Sequence, residues 1–307
     1  MESAEAIAYS STANLGPGFD ILAIAHNAFH DRITASISDT HIEGGIRLHG
    51  MAEPLDPLRN TAGLAAYRLL KEMDIRDSID LHIKKGVPAG YGLGSSGASA
   101  AASVTAIDRL FNLGLSPEKK VEFSMAGEVA SSGTPHADNV AASIYGGFVV
   151  VESISPIKVR KIRISEEFSF ITIIPDVRIH DKTRTARGLV PQAVSIQKYV
   201  ENARYIAELT SGLITGDREL VRSGMNDAIV EEARKPLFPF YDAVKRIMIR
   251  NNAAGACLSG AGPSIMGVVD HDTNVRGIRK EAAEYLKSIG IESNIVISNL
   301  AGGTSSD

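Results

Sequence analysis

Along residues 19–39, FDILAIAHNAFHDRITASISD, apolar and polar positions partly alternate, which predicts strands; a short strand at IRLHG follows Gly44 and Gly45. From Arg59 to Met73 the apolar Leu64, Tyr67 and Leu70 fall at helical spacing. Asn60 and Thr61 stand near the start of that helix, where capping residues belong. Ile79, Leu81 and Ile83 alternate with Asp80, His82 and Lys84, the period of a half-buried strand, and Gly86 and Pro88 end it. Val104, Ile107, Leu110 and Phe111 resume helical spacing in an alanine-rich stretch. Ser116 is a natural N-cap with Pro117 at the first helical position, so a further helix is expected toward Glu128. GGFVVVES from Gly146 reads as a buried strand.

The stretch Ser153-Ile154-Ser155-Pro156 is the expected boundary between two domains, 1–153 and 154–307. Beyond it, strands are expected around Ile157 to Ile164 and Phe168 to Ile174. Helices are expected near Gln197 to Leu213, Tyr241 to Met248 and Val275 to Leu286. Strands and helices interleave in both halves, and no repeat or low-complexity tract interrupts them.

Composition narrows the function classes. With 44% hydrophobic and 22% charged residues in 307, the chain is ordinary globular material. Its formal net charge of -4 offers none of the basic excess with which nucleic-acid binders displace counterions, so no nucleic-acid partner is expected. A single cysteine, Cys257, excludes an internal disulfide framework and fits a reducing, cytoplasmic setting. The N-terminal MESAEAIAYSS lacks the charge pattern of a signal peptide. No run reaches the roughly 20 apolar residues of a membrane span, so no membrane partner is expected.

The strongest chemical signal is Pro88-Ala89-Gly90-Tyr91-Gly92-Leu93-Gly94-Ser95-Ser96-Gly97-Ala98, set between a strand and a helix. Its glycines permit close backbone approach and positive φ, its serines place hydroxyls beside the helix start, and a helix N-terminus attracts anions. Such a loop suits a polyphosphate. Gly92-Leu93-Gly94-Ser95-Ser96-Gly97 also matches the dinucleotide fingerprint GxGxxG, but the acidic candidates some 20 residues on, Glu118 and Glu122, fall on a polar helix rather than at a strand end. No GxxxxGK[ST] occurs.

Three spaced motifs identify the loop: SSTANLGPGFDILAIA (Ser10 to Ala25), the PAGYGLGSSGASA segment and GACLSGAGPSIMGV (Gly255 to Val268). Together they resemble the GHMP kinase superfamily and, within it, the homoserine kinase family. GTPHADNVAASIYGGF and TRTAR (Thr183 to Arg187) are similar to signatures more particular to that family. The resemblance runs nearly the full length. It implies an α+β, two-domain GHMP kinase fold: an N-terminal ribosomal S5 domain 2-like ATP-binding domain and a C-terminal ferredoxin-like α/β-sandwich domain. It also implies ATP and Mg2+ as cofactors, L-homoserine as substrate, a cytoplasmic enzyme of threonine biosynthesis and a homodimer, the common state among relatives.

Each segment has its own physical reading beside the one the resemblance supplies. Glycines and a proline between Asn14 and Asp20 force a turn that brings an amide and a carboxylate together; by resemblance both contact the amino-acid substrate. Glu128, otherwise a helix carboxylate, is by resemblance the Mg2+ ligand together with the Ser96 hydroxyl. His136, Asp138 and Asn139 form a turn-like stretch that resembles the family's Gly-His-Pro-Asp-Asn substrate segment, with alanine at 137 in place of proline. Asp138 is the nearest candidate base, although the resemblance requires none.

Thr183, Arg187 and Arg234 are similar to substrate-binding positions, and a guanidinium holds a carboxylate bidentately. Phe240 replaces a glycine in the stretch after Arg234. Gly260 lies in the small-residue loop that the family sets opposite the phosphate loop, and Asn60 resembles its adenine contact while fitting a plain helix cap equally well. Another kinase of the superfamily, of mevalonate, galactose or shikimate type, and a non-catalytic sensor on the same fold are the rival readings.

Overall fold

Residues 2–50, 54–133, 135–179 and 182–304 are described by a computed structural model of the chain. Thr134, within the segment expected to bind substrate, lies outside them. The first sheet grows from a long hairpin, β1 (Ser3–Asn14) and β2 (Gly18–Ile37). Along its other edge β2 pairs through Arg32–Ile37 with β4 (Ile79–Lys84) and through Leu22–Ile24 with β5 (Phe148–Ile154). The sheet is completed by β3 (Ile46–Gly50), parallel to β4, and by β6 (Ile157–Ile162), antiparallel to β5.

Four helices cover this sheet: α1 (Thr61–Glu72), α2 (Ser95–Phe111), α3 (Pro117–Ser132) and α4 (Asp138–Tyr145). Central among them is α2, packed on β1, β2 and the other three. Its side chains from Gly97 to Asp108 are buried all round, and the run of alanines lets neighbouring backbones approach closely without voids. As the sequence suggests, Ser116 caps α3 by accepting from the Lys119 N–H at 3.3 Å, and Pro117 takes the first helical position.

The second sheet has four antiparallel strands, β7 (Ser169–Pro175), β8 (Gly255–Leu258), β9 (Ile265–Val269) and β10 (Ser293–Ser298), in the order β10-β7-β9-β8. That is the strand order of a ferredoxin-like unit. Between β7 and β8 run α5 (Lys182–Gly188), α6 (Ile196–Thr215), α7 (Arg218–Gly224), α8 (Val230–Arg234) and α9 (Tyr241–Arg250). Then α10 (Val275–Ser288) connects β9 to β10. Val244, Ile247, Ile278, Ala282 and Leu286 fasten α9 and α10 to the sheet. No helix among the described residues is long and apolar enough to cross a membrane.

The boundary expected at 153/154 meets a hairpin. Strands β5 and β6 flank it and belong to the same sheet, so the change of sheet comes after Ile162 and before Ser169. The two sheets also share an apolar core, in which Leu22, Ile24 and Phe148 meet Phe170, Val268 and the helix residues Leu209 and Val221. Finally the chain returns to the first sheet after β10. Leu300 bridges His26, Gly302 bridges Gly146, and the Thr304 N–H donates to Ser143 O at 3.0 Å.

Candidate active site

The loop between β4 and α2 turns on three glycines with positive φ, Gly90 (85°), Gly92 (79°) and Gly94 (68°). At Gly94 a Cβ would sit 2.0 Å from Ser11 Oγ; at Gly92 it would sit 2.2 Å from the Ser259 carbonyl oxygen. Both conformation and space therefore require glycine. The loop is clamped from the second sheet: Ser259, at the end of β8, donates its hydroxyl to Gly92 O at 2.7 Å.

Beneath the loop lies a network that the motifs do not announce. The Lys85 ammonium is paired with the fully buried Asp31 carboxylate and donates to Ser95 O (3.1 Å), Ser95 Oγ (2.8 Å) and Ser99 Oγ (2.8 Å). Asp31 also accepts the N–H groups of Gly86 and Val87, both at 2.9 Å. The start of α2 and the residues just after β4 are thus locked to β2.

Glu128 of α3 is buried beside Ser96 in the first turn of α2. Burial raises its carboxyl pKa to about 7; the hydrogen bond from Ser96 and the charge of Lys85 pull it down, and the Asp138 carboxylate pushes it up. Among the described residues no group of three or more His, Cys, Asp or Glu side chains could hold a metal. One carboxylate and one hydroxyl beside a phosphate cradle are nevertheless the donor set that Mg2+ uses when phosphate oxygens and water complete its shell.

Across the cavity, the turn after β1 directs Asn14 and Asp20 inward. Asn14 Nδ2 donates to Gly260 O at 3.2 Å, while its Oδ1 accepts from the Asp20 N–H at 3.2 Å. Arg187 of α5 donates to both carboxylate oxygens of Asp20 at 2.9 Å, and its Nη2 lies 2.8 Å from His136 Nδ1. Nδ1 is then an acceptor, in keeping with an imidazole whose pKa is lowered by burial and by the Arg187 charge. Arg234, only 4% exposed, donates to Ala186 O and Gly260 O at 3.2 and 3.1 Å.

Both guanidiniums lie 5.2 Å from the centre of one ring, that of Phe19. The negative faces of an aromatic quadrupole attract cations, so the ring eases the approach of two like charges. Asp138 opens α4 and is pushed up to about 6, first by burial and then by the Asp20 carboxylate. These groups and the glycine loop line one cavity of about 810 Å³. A larger hollow of about 1030 Å³ lies among α6, α8, α9 and α10 and contains none of the motifs.

Relatives bear on this geometry directly. The N-terminal GHMP kinase model matches residues 60–147 and the C-terminal one residues 209–288. The chain is 46% identical over 304 residues to homoserine kinase of Saccharolobus solfataricus, covering 99% of this chain and 98% of that one. It is 49% identical over 296 residues to homoserine kinase of Sulfurisphaera tokodaii, covering 96% of each. The chain belongs to the homoserine kinase family. The crystal structure of homoserine kinase from Cytophaga hutchinsonii superposes with a TM-score of 0.90 at 31% identity, covering 99% of this chain and 96% of that one. The two-domain GHMP kinase fold implied by the motifs is therefore the fold of this chain.

Of the residues singled out from the sequence, Asn14, Asp20, Asn60, Ser96, Glu128, His136, Asp138, Asn139, Thr183, Arg187, Arg234 and Gly260 all line the cavity. Neither alanine at 137 nor Phe240 shifts the flanking polar groups out of it. Three loop residues do not face it. Tyr91 turns away to donate its hydroxyl to Asp176 at 2.6 Å, Gly97 packs on Asn139, and Ala98 is fully buried. Asn60 serves as the cap of α1, accepting from the N–H groups of Ala62 and Gly63 at 3.0 and 3.3 Å, and lines the cavity as well. Sequence reasoning missed Phe19, Lys85 and Lys182. Phe19 and Lys182 directly adjoin residues that were singled out, and adjacency was the one signal available.

Proposed function

We propose that this protein transfers the terminal phosphate of ATP to the hydroxyl of L-homoserine, giving O-phospho-L-homoserine and ADP. The observation that carries the reading is the charge array facing the glycine loop: two guanidiniums gathered at Phe19, with Asp20 and Asn14 beside them. An amino acid presents one carboxylate and one ammonium, which Arg187 with Arg234 and Asp20 with Asn14 match in sign. A sugar or isoprenoid alcohol would bring no carboxylate to the buried Arg234 and its neighbour Arg187, and no ammonium to Asp20.

In the transfer, the alcohol oxygen bonds to the γ-phosphorus, the bond to the β,γ-bridging oxygen breaks, and ADP leaves with that electron pair. The alcohol proton passes to an oxygen of the transferred phosphoryl group. The work of the chain is positioning: N–H groups at the start of α2 face the phosphates, and the arginines orient the substrate. Ser96 and Glu128 are the residues that would hold Mg2+, which, when bound, neutralises charge on the phosphate oxygens. On this reading Asp138 orients the hydroxyl and is not an obligatory base. An Asp138→Asn variant retaining turnover within about tenfold at saturating homoserine supports this, since loss of a true general base costs about 100-fold or more.

A coupled ADP-release assay across a panel of alcohols tests the substrate: L-homoserine is expected to give the highest kcat/KM. Nucleotide and homoserine binding without product would favour the sensor reading; turnover of another alcohol in preference to homoserine would favour a different kinase. Light scattering of the purified protein checks the homodimer expected from the resemblance.

A further inference from the structure

Lys182, the first residue of α5, is a buried lysine that the scheme above leaves unused. Only 7% of it is exposed, and it lines the cavity between the two halves of the site. Its ammonium donates to Gly90 O in the glycine loop at 2.8 Å and to Gly262 O in the loop joining β8 to β9. Gly90 belongs to the phosphate side. Gly262 stands two residues from Gly260, whose carbonyl receives Asn14 and Arg234 on the substrate side.

We propose that Lys182 binds the terminal phosphate of the nucleotide as that group passes from the glycine loop to the substrate alcohol. This rests on the ATP-dependent kinase reading of the cavity. Three features point to it. An ammonium carries three N–H donors, and two carbonyls leave one for a ligand. Lys85 offers no such donor, because Asp31, Ser95 and Ser99 already provide more acceptors than its ammonium can serve. Lys182 is instead held by carbonyl dipoles and faces another cation, Arg234; burial and that charge lower its pKa to about 7. A phosphate arriving beside it supplies the countercharge that the free site withholds. A transferring phosphoryl group must also sit between donor and acceptor, and Lys182 joins the loops that bound the cavity on those two sides.

The alternative is a purely structural clamp, and nucleotide discrimination separates the two. A clamp supports the loop for any nucleotide, whereas a contact to the terminal phosphate is felt by ATP and not by ADP. In Lys182→Met, affinity for a non-hydrolysable ATP analogue, measured by titration calorimetry, is expected to fall about tenfold or more, with ADP affinity within about twofold. Lys182→Arg is expected to recover part of the loss.

Equal weakening of both nucleotides, or of neither, would overturn the proposal. Should Lys182→Met fail to fold, the wild-type protein answers the question by amine acetylation and mass spectrometry. Lys182 protected by the ATP analogue and left reactive with ADP supports the proposal; the same reactivity with both overturns it. Wild-type protein that binds neither nucleotide refutes the kinase reading itself, and this inference with it.

Discussion

Phe19 shows how much one side chain can organise. Arg187 and Arg234 both sit 5.2 Å from its ring centre, so removing the ring lets two like charges separate. Phe19→Ala is expected to raise the KM for homoserine by about tenfold with kcat little changed, while Phe19→Tyr stays near wild type, in line with about 1 to 2 kcal/mol from cation–π contacts. Steady-state kinetics with homoserine varied would check it. Glu128 makes a prediction of the opposite kind. Its pKa rises in the fold to about 7 from an ordinary 4.5, so the folded chain holds a proton that the unfolded chain releases between those values. Its stabilising contribution is present below pH 4.5 and is lost as pH rises toward 7, on the order of 3 kcal/mol. Glu128→Gln cannot titrate; at pH 8 it should melt at a higher temperature than wild type, an advantage absent at pH 4, while turnover falls about 100-fold or more. Ser96 stands out in the sequence because a motif contains it, whereas Glu128 lies outside the motifs and is singled out by the family resemblance alone. Phe19, Lys85 and Lys182 do not stand out, since a lone aromatic or lysine acquires meaning only from the neighbours that folding supplies.

Among the elements, α1 and the glycine loop put local sequence rules to work at the site. Asn60 accepts two N–H groups at the start of α1, and its amide donates to Pro54 O at 3.0 Å. Asn60→Ala should lower unfolding free energy by about 1 kcal/mol and Asn60→Asp by less, as read by urea denaturation. Gly94→Ala places a Cβ 2.0 Å from Ser11 Oγ at a φ of 68°. Loss of nucleotide binding and a lower melting temperature are both expected. Periodicity revealed α9, α10 and β4 because each has one buried face. By contrast α4 has eight residues and Ala137 at its N-cap, which gives no start signal. The strand β6 is legible as a strand, yet alternation says nothing about which sheet it joins, and it pairs with β5 across the expected boundary. The small side chains of β1 hide a strand whose shape is dictated by pairing with β2.

For the whole molecule, His26 of β2 supplies a counterweight to the site carboxyls. It is fully buried among Ser10, Thr12 and Ser298 near the junction of the two sheets, and burial lowers its pKa to about 4. The unfolded chain binds the proton that the folded one refuses, so His26 costs stability as pH falls from about 6.5 toward 4, on the order of 3 kcal/mol. Glu128 works in the other direction over most of that window. Asp138, raised to about 6, adds to the Glu128 effect, so wild-type stability should rise only modestly on acidification, whereas His26→Gln should rise by more, as thermal melts at pH 4.5 and 6.5 would check. The fold class itself was legible from interleaved strands and helices together with the motifs; the shared core was not, because it depends on contacts between distant segments. One such contact reaches furthest. Residues 299–304, which follow the whole second sheet, bridge His26 and Gly146 of the first. During synthesis, then, the nucleotide-binding half must emerge and wait, incompletely closed, until the rest has been made. A fragment of residues 1–163, lacking the strand-like closure that residues 299–304 supply, should be cut faster by limited proteolysis than the same residues in the whole chain.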